Sequence, residues 1–127
     1  MEMDKIVYTL MSDGGSYEKN YLKRMLDYYL RNKGSFSFNF LPHSTSKDVY
    51  TFTFAYIDGA SEGTYDYGFY DVEMLIDIMN KDGQHYYDTL IFDSDSENTL
   101  DNNIELFWNE YVNGLNVENK FPKGDVE

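Results

Sequence analysis

Two short segments with an aromatic residue at every second position constrain the fold most strongly. They are residues 35–41, with Phe36, Phe38 and Phe40, and residues 49–57, with Tyr50, Phe52, Phe54 and Tyr56. Because successive side chains of a strand point to opposite faces, this spacing predicts two strands, each with one aromatic face. A polar loop joins them, so we expect a hairpin whose cross-strand aromatic pairs cover one core.

A strand and a helix are predicted before this hairpin. Residues 5–11 alternate in a way that fits a short strand with two usable faces. After a turn that contains two glycines, residues 17–33 carry apolar side chains at three- and four-residue spacing, which is typical of an amphipathic helix. Ser16 is the expected N-cap, and Gly34 fits the C′ position just past the helix end.

Residues 64–79 fit both the strand and the helical period. The following Asn-Lys-Asp-Gly segment, 80–83, is a strong turn signal, and residues 86–92 have a strand-like composition. A hairpin is therefore favoured over a helix here. Beyond an acidic loop, Thr99 can cap a final helix over residues 100–113.

The predicted order of elements is β-α-β-β-β-β-α. Strands joined by short links predict a largely antiparallel sheet of four to five strands, and two helices on one face make the fold α+β with two layers. The chain has 127 residues, of which 42% are apolar, so we expect a single domain over residues 1–127. Residues 116–127 are predicted to be a loose tail.

Composition excludes several classes of protein. The chain has no Cys, which rules out disulfides, thiolate metal sites and a Cys nucleophile. No apolar run approaches the roughly 20 residues of a membrane helix, and the acidic start lacks a signal-peptide core, so a cytoplasmic protein is predicted. The net charge of −13 argues against direct binding of nucleic acid or of an anionic membrane, because both would repel the chain.

The charges are strongly segregated along the chain. Residues 48–118 contain sixteen acidic residues and a single basic one, Lys81, whereas residues 1–47 contain seven basic and five acidic residues. Such a block can be a solvated surface that keeps the protein in solution. It can equally be a field directed at a partner, since rows of carboxylates can stand in for backbone phosphates against a basic groove. Sequence alone leaves both interpretations open.

Known catalytic and metal-binding patterns do not account for the acidic block. From Asp93 the acids alternate as in an EF-hand loop, but Asn98 lies where that loop needs Gly, and Ile104 where it needs a bidentate Glu. His43 and His85 are expected to be ordinary surface histidines, and no phosphate loop, nucleophile elbow or zinc helix is present. We therefore predict no enzyme activity, no cofactor and no metal. A calcium-binding module or small enzyme centred on residues 93–101 is the alternative.

A small, cysteine-free, strongly acidic chain rich in Tyr and Asn resembles the DNA-mimic inhibitors encoded by phages, among them the anti-CRISPR proteins that block Cas nucleases. Composition and the acidic run 88–110 carry the resemblance. It implies a non-catalytic inhibitor that occupies the nucleic-acid site of a basic protein, with a Cas nuclease as the first candidate target and the host-cell cytoplasm as its location. Acidic immunity proteins against basic nuclease toxins are similar in the same way, and they give a second alternative.

The residues predicted to face such a partner combine acids with tyrosines. Two adjacent residues of a strand cannot both be buried unless both sheet faces are covered, so some tyrosines should be exposed and available as interface anchors. The predicted partner-binding residues are Asp66, Asp71, Glu73, Asp77, Asp88, Asp93, Asp95, Glu97, Asp101, Glu105, Tyr65, Tyr67, Tyr86 and Tyr87.

Overall fold

Five strands form one sheet in the same order as they occur in the chain. The computed structural model describes residues 6–11, 16–42, 45, 47–61, 69–93, 95–112, 117 and 120–121. Its elements are β1 (Ile6–Met11), α1 (Ser16–Arg31), β2 (Ser35–Leu41), β3 (Tyr50–Ser61), β4 (Phe69–Met79), β5 (His85–Phe92), α2 (Leu100–Phe107) and a π-helical turn (Trp108–Val112). The predicted order β-α-β-β-β-β-α and the α+β class are confirmed.

The sheet is antiparallel except at one edge. β1 and β2 are parallel, and α1 forms the crossover between them. β2, β3, β4 and β5 follow one another as antiparallel neighbours. Of the ambiguous segment, residues 69–79 form a strand and residues 64–68 lie outside the described part of the chain; the predicted hairpin with β5 is confirmed. Its turn is held by Asn80, whose side-chain oxygen accepts hydrogen bonds from the backbone N–H groups of Asp82 and Gln84.

The core lies between the helices and one face of the sheet. The aromatic residues of β2 and β3 meet as the alternation predicts: the rings of Phe36 and Phe54 stack with centroids 5.4 Å apart, and those of Phe38 and Phe52 with centroids 5.3 Å apart. Phe107 of α2 packs edge-on against Phe52 at 5.6 Å. Burying one such side chain stabilises a fold by about 1.5–3 kcal/mol, so this aromatic layer holds the helices on the sheet.

The end of α1 differs from the prediction at one residue. Lys33, with φ of 54°, occupies the left-handed position expected for Gly34. The backbone N–H of Gly34 still donates to the carbonyl of Tyr29, and a Cβ at residue 34 would lie 3.0 Å from the Tyr29 ring. The glycine therefore provides space for the Tyr29 ring rather than a positive φ. The helix also begins at Ser16 and ends at Arg31, slightly earlier than predicted.

The C-terminal helix begins where expected and changes its hydrogen-bonding register near its end. The Thr99 hydroxyl accepts a hydrogen bond from the N–H of Asn102, which confirms the predicted cap. The last turn is π-helical rather than α-helical. Most of the predicted loose tail, 116–127, lies outside the described residues. Val117 and Phe121 within it are buried, and Phe121 stacks on Tyr50, so these two positions belong to the core.

Candidate protein-binding surface

The second face of the sheet is not covered by any of the described elements. We call it the open face. It is formed by alternate residues of four strands: Ser35, Ser37, Asn39, Thr51, Thr53, Ala55, Glu73, Leu75, Asp77, Met79, His85, Tyr87, Thr89 and Ile91. None of these residues is Lys or Arg. Hydroxyl groups and apolar side chains occupy its middle, and carboxylates interrupt them only on β4.

An aromatic side chain stands on the open face beside a carboxylate. Tyr87 is 58% exposed and stacks on His85, with ring centroids 5.7 Å apart. The Nδ1 atom of His85 lies 2.7 Å from a carboxylate oxygen of Asp77, the cross-strand neighbour of Tyr87. Because tyrosine presents a large rigid area with a polar tip, it is a typical anchor of a protein interface.

Irregular pairing between β3 and β4 fixes the acids at one end of the sheet. The register shifts on both sides of Asp58, which is left opposite Glu73. Asp71 adopts a φ of 56°, and Gly59 a φ of 113°. A Cβ at Gly59 would lie only 2.3 Å from the Asp71 carbonyl oxygen, so the two strands approach closely because residue 59 has no side chain. Bulges of this kind re-aim side chains at functional edges.

The like-charged pair at this bulge costs stability. Carboxylates directly opposite each other on neighbouring strands destabilise a sheet by up to about 1 kcal/mol. A residue other than Gly with positive φ adds strain, although Asp tolerates it better than most residues. Asp58, Glu73 and Asp71 thus form a local arrangement that the core does not require. An observed strained site of this kind motivates a hypothesis of function.

The loop after β5 brings further acids to the same end. The last residue of β5 pairs with Val72, so this loop begins beside Asp71. An Asp93 carboxylate oxygen accepts a hydrogen bond from the N–H of Asp95 at 3.1 Å. The buried side-chain amide of Asn103 donates to the carbonyl groups of Ile91, Asn98 and Thr99, which anchors the loop to α2.

These acids together form what we call the acidic end: Asp58, Asp71, Glu73, Asp93, Asp95 and Glu97. Among the described residues, none of the six forms an ion pair with Lys, Arg or His. The open face adjoins it through Glu73. The acidic end is therefore the part of the described surface where several carboxylates lie together without a described ion pair.

Acids on the helical layer are paired internally. Glu105 lies 2.6 Å from the ammonium of Lys19, and Asp101 forms an ion pair with Lys23. The two lysines are four residues apart on α1, as are the two acids on α2, so the pairs link the helices in antiparallel order. Both acids are on the opposite side of the sheet from the open face. The predicted partner-binding set thus divides between two surfaces.

Asp88 and Tyr86 also lie on the helix-covered side. Asp88 accepts a hydrogen bond from the hydroxyl of Tyr111, and Tyr86 is partly buried beneath the ammonium of Lys120. Burial raises the pKa of Tyr111 above its ordinary value, and the hydrogen bond to Asp88 and the charge of Asp88 add to the increase. Within the described structure, these two residues contribute to packing between β5 and the π-helical turn.

The remaining predicted site residues divide as follows. Asp71, Glu73, Asp93, Asp95 and Glu97 belong to the acidic end, and Asp77 and Tyr87 to the open face. Asp66, Tyr65 and Tyr67 lie outside the described residues. Sequence reasoning missed Asp58 and His85 as surface partners of these groups. Counting alternate positions outward from the turn 80–83 would have placed His85 beside Tyr87, whereas the bulge at Asp58 leaves no comparable signal.

Within the described part of the chain, His, Asp and Glu residues form no group of three that could hold a metal ion. No described helix has the length and apolarity needed to cross a membrane. No protein-family model matches the chain, and comparisons with curated proteins and with solved structures give no match.

Proposed function

We propose that this chain is a non-catalytic acidic binding protein that inhibits a basic nucleic-acid-handling protein by occupying its nucleic-acid site. The observation that carries the proposal is the separation of two kinds of acid. Asp101 and Glu105 on the helical layer form ion pairs with α1 lysines, whereas none of the carboxylates of the acidic end forms a described ion pair. A surface meant only to keep a protein in solution would mix both signs of charge.

The chemistry of a nucleic-acid site supports this assignment. Lys and Arg side chains bind phosphates through charge-assisted hydrogen bonds, and carboxylates accept the same bonds. Neighbouring strands are about 4.8 Å apart, so acids on β3, β4 and the loop after β5 can engage several basic side chains of one groove together. The concentrated charge also accelerates encounter with a positive surface.

The open face supplies contacts that charge alone lacks. Tyr87 and Ile91 are exposed on its outer strand, 58% and 36% respectively, and Leu75 lies between β3 and β5. Protein interfaces combine an apolar or aromatic centre with a charged rim. In the proposed complex the acidic end meets the basic groove, and Tyr87 packs beside it.

Two target classes follow from the resemblance in composition, and both have basic nucleic-acid sites. A Cas nuclease is the first to test and a nuclease toxin the second. Binding to either is measured by titration calorimetry, with duplex DNA or guide RNA as competitor. The nucleic acid is expected to compete, because both ligands occupy one site.

The decisive comparison uses two variants that remove equal charge. Asp95→Asn with Glu73→Gln neutralises two acids of the acidic end, while Asp101→Asn with Glu105→Gln neutralises two acids of the helical layer. The first variant is expected to weaken binding about a hundredfold or more, since close interfacial charge pairs contribute at least about 1.5 kcal/mol each, and the second to change it little.

Added salt is expected to weaken the wild-type complex steeply, because the screening length falls from about 8 Å at physiological ionic strength to about 3 Å at 1 M. Equal losses in both double variants would show that no particular face is used. Binding that is unchanged at about 1 M salt would refute recognition by charge.

A further inference from the structure

The outer edge of β5 is the candidate for pairing with a further strand. β5 is the last strand of the sheet, and no other strand of the described chain lies beside it. The N–H of Thr89 does not bond to β4; it donates to the carboxylate of its neighbour Asp88 at 2.8 Å. In an antiparallel pair, residues alternate between bonding inward and outward, so the odd-numbered residues of β5 direct their backbone groups away from the sheet.

This edge lacks most of the features that prevent strand addition. Natural edge strands are protected by Pro, Lys, bulges or extreme shortness. β5 has eight residues, contains neither Pro nor Lys, and pairs with β4 without a register shift. Among the described contacts, two side chains engage its outward backbone groups: Asp88 accepts from the Thr89 N–H, and the Asn103 amide donates to the Ile91 carbonyl. The Asp88 bond is local and can be exchanged for a cross-strand bond, and the Ile91 carbonyl has a second lone pair that can accept one.

From this edge we infer that two copies of the chain associate through β5, which pairs antiparallel with itself and joins two five-stranded sheets into one. The strand sequence supports a second copy as the occupant, because it is self-complementary in one register. A two-fold axis perpendicular to the sheet keeps each side chain on its own face. Odd-numbered residues must then pair with odd-numbered ones, and the residue on the axis faces its own copy.

Two registers place the middle of one β5 strand opposite the middle of the other, so that nearly the whole length of both strands pairs. One places Asp88 opposite Asp88 of the second copy, which is unfavourable because like charges directly opposite repel. The other is centred on Thr89. It sets Thr89 opposite itself, Tyr87 opposite Ile91, and the His85 side chain near that of Asp93 of the second copy, whose backbone stays bonded to Asn98 and Ser96 within its own loop. These are a hydroxyl pair, an aromatic–β-branched pair and a charge-compatible pair, all of which stabilise antiparallel strands.

The helix side of the edge is compatible with this register. A groove of about 200 Å³ runs beside β5 and is lined by Leu90, Leu106 and Glu110 among others. Leu106 is 61% exposed and would be covered by the added strand. The two acids at the groove are already engaged, Asp88 by the Tyr111 hydroxyl and Glu110 by Lys120. Both carboxylates therefore keep a hydrogen-bonding partner when the added strand displaces water from the groove.

The high net charge sets the conditions for association. Each copy carries −13, so the copies repel each other at long range. Added salt screens this repulsion, and the dimer is expected to strengthen as salt rises. The proposed target complex is expected to weaken as salt rises, so the two kinds of binding are distinguishable in one salt series.

The test is sedimentation of the full chain over a micromolar-to-millimolar concentration series at low and high salt. We expect a reversible dimer that is more populated at high salt. Thr89→Lys places two ammonium groups opposite each other and should shift the dissociation constant at least tenfold towards monomer. Asn20→Lys adds the same charge on the exposed side of α1 and should leave the dimer intact. A wild-type monomer under all conditions, or a Thr89→Lys dimer as stable as that of Asn20→Lys, overturns the inference.

Cysteine cross-linking tests the register. The chain has no Cys, so each variant carries one thiol per copy. In the Thr89-centred register, Thr89→Cys brings two thiols together across a pair with Cα atoms about 5.5 Å apart, within the range of a disulfide. Tyr87→Cys places them about four residues apart along the strand, roughly 13 Å, which is too far. Mild oxidation should therefore link Thr89→Cys and not Tyr87→Cys; the reverse pattern, or no linkage in either, refutes this register.

Discussion

Removing the buried amide of Asn103 should loosen the acidic end without touching any acid. Asn103 is 3% exposed, and its amide nitrogen lies 2.8, 3.2 and 3.1 Å from the carbonyl oxygens of Ile91, Asn98 and Thr99. An amide group has two N–H donors, so at most two of these bonds are fully formed. At roughly 1 kcal/mol for each net hydrogen bond, they contribute about 2 kcal/mol.

The loss of stability in Asn103→Ala depends on which of the three carbonyl groups keep another hydrogen bond. Asn98 keeps the hydrogen bond from the Asp93 N–H, and Thr99 keeps that from the Asn103 backbone N–H. The Ile91 carbonyl loses the amide, its described side-chain donor. We therefore expect Asn103→Ala to lower the free energy of unfolding by about 2–3 kcal/mol. This is a large part of the 5–15 kcal/mol typical of a domain, and the variant should still fold.

Asn103→Asp is the sharper version of the same experiment. It keeps the shape and replaces a donor by an acceptor that faces three carbonyl oxygens, so a loss of about 3–5 kcal/mol is expected at pH 7. Burial among acceptors raises the pKa of the introduced carboxyl group. Because the folded state then binds the proton more tightly, the variant should regain stability relative to wild type as the pH falls.

Urea unfolding followed by fluorescence of the single tryptophan, Trp108, measures both effects, since this residue is buried in the adjoining π-helical turn. Asn20→Ala on the exposed side of α1 is the control and should change stability by less than about 0.5 kcal/mol. A loss below about 0.5 kcal/mol for Asn103→Ala, or an Asn103→Asp deficit that does not shrink at acidic pH, would refute the reasoning.

Three further predictions concern the backbone and the tyrosines. Gly59→Ala should lower the free energy of unfolding by more than about 2 kcal/mol, because the strain of a positive φ and a clash with the backbone add together. Gly83 also has a positive φ, of 83°, but no atom lies near its Cβ position, so Gly83→Ala should cost only about 1 kcal/mol in the same urea titration. Tyr111→Phe should cost about 1.5–3 kcal/mol by the same assay, since it removes a hydrogen bond to the Asp88 carboxylate; no loss would contradict that bond. The Tyr8 hydroxyl is buried without a partner among the described groups, and burial, with a smaller contribution from the charge of Glu18, raises its pKa from 10.0 to about 12. Because a buried hydroxyl without a hydrogen bond costs free energy, Tyr8→Phe should be more stable than wild type at neutral pH. Above pH 10 the unfolded state ionises before the folded one, so wild type should lose stability as the pH rises towards 12, and Tyr8→Phe should lose less over this range in an alkaline denaturation series.

Local patterns of the sequence determine most of the fold. The aromatic alternation of β2 and β3 predicted their pairing because burial on one face has a period of two. The turn at residues 80–83 resolved the assignment of the preceding segment, since only a strand can use a tight hairpin there. The left-handed Lys33 was missed because a glycine next to a helix end has two possible roles, backbone freedom or space for a ring. The π-helical turn was missed because apolar spacing does not reveal which carbonyl each N–H reaches.

The candidate surface was predictable only in outline. The excess of acid in the second half of the chain was visible, but its division between paired and unpaired carboxylates was not. Lys19 and Glu105 are far apart in sequence, and only the packing of α1 against α2 brings them together. The bulge at Asp58 likewise depends on where β3 and β4 lose register. Both features follow from tertiary contacts, for which a single sequence carries little signal.

The agreement between strand order in the sheet and strand order in the chain has a consequence for how the protein folds. Each of the three hairpin links joins strands that are already neighbours, so the β2–β5 meander needs only short loop closures. The parallel pairing of β1 must wait for the α1 crossover. During synthesis each new strand of the meander can pair with the one before it, and α2, which follows the five strands in the chain, then closes the aromatic core.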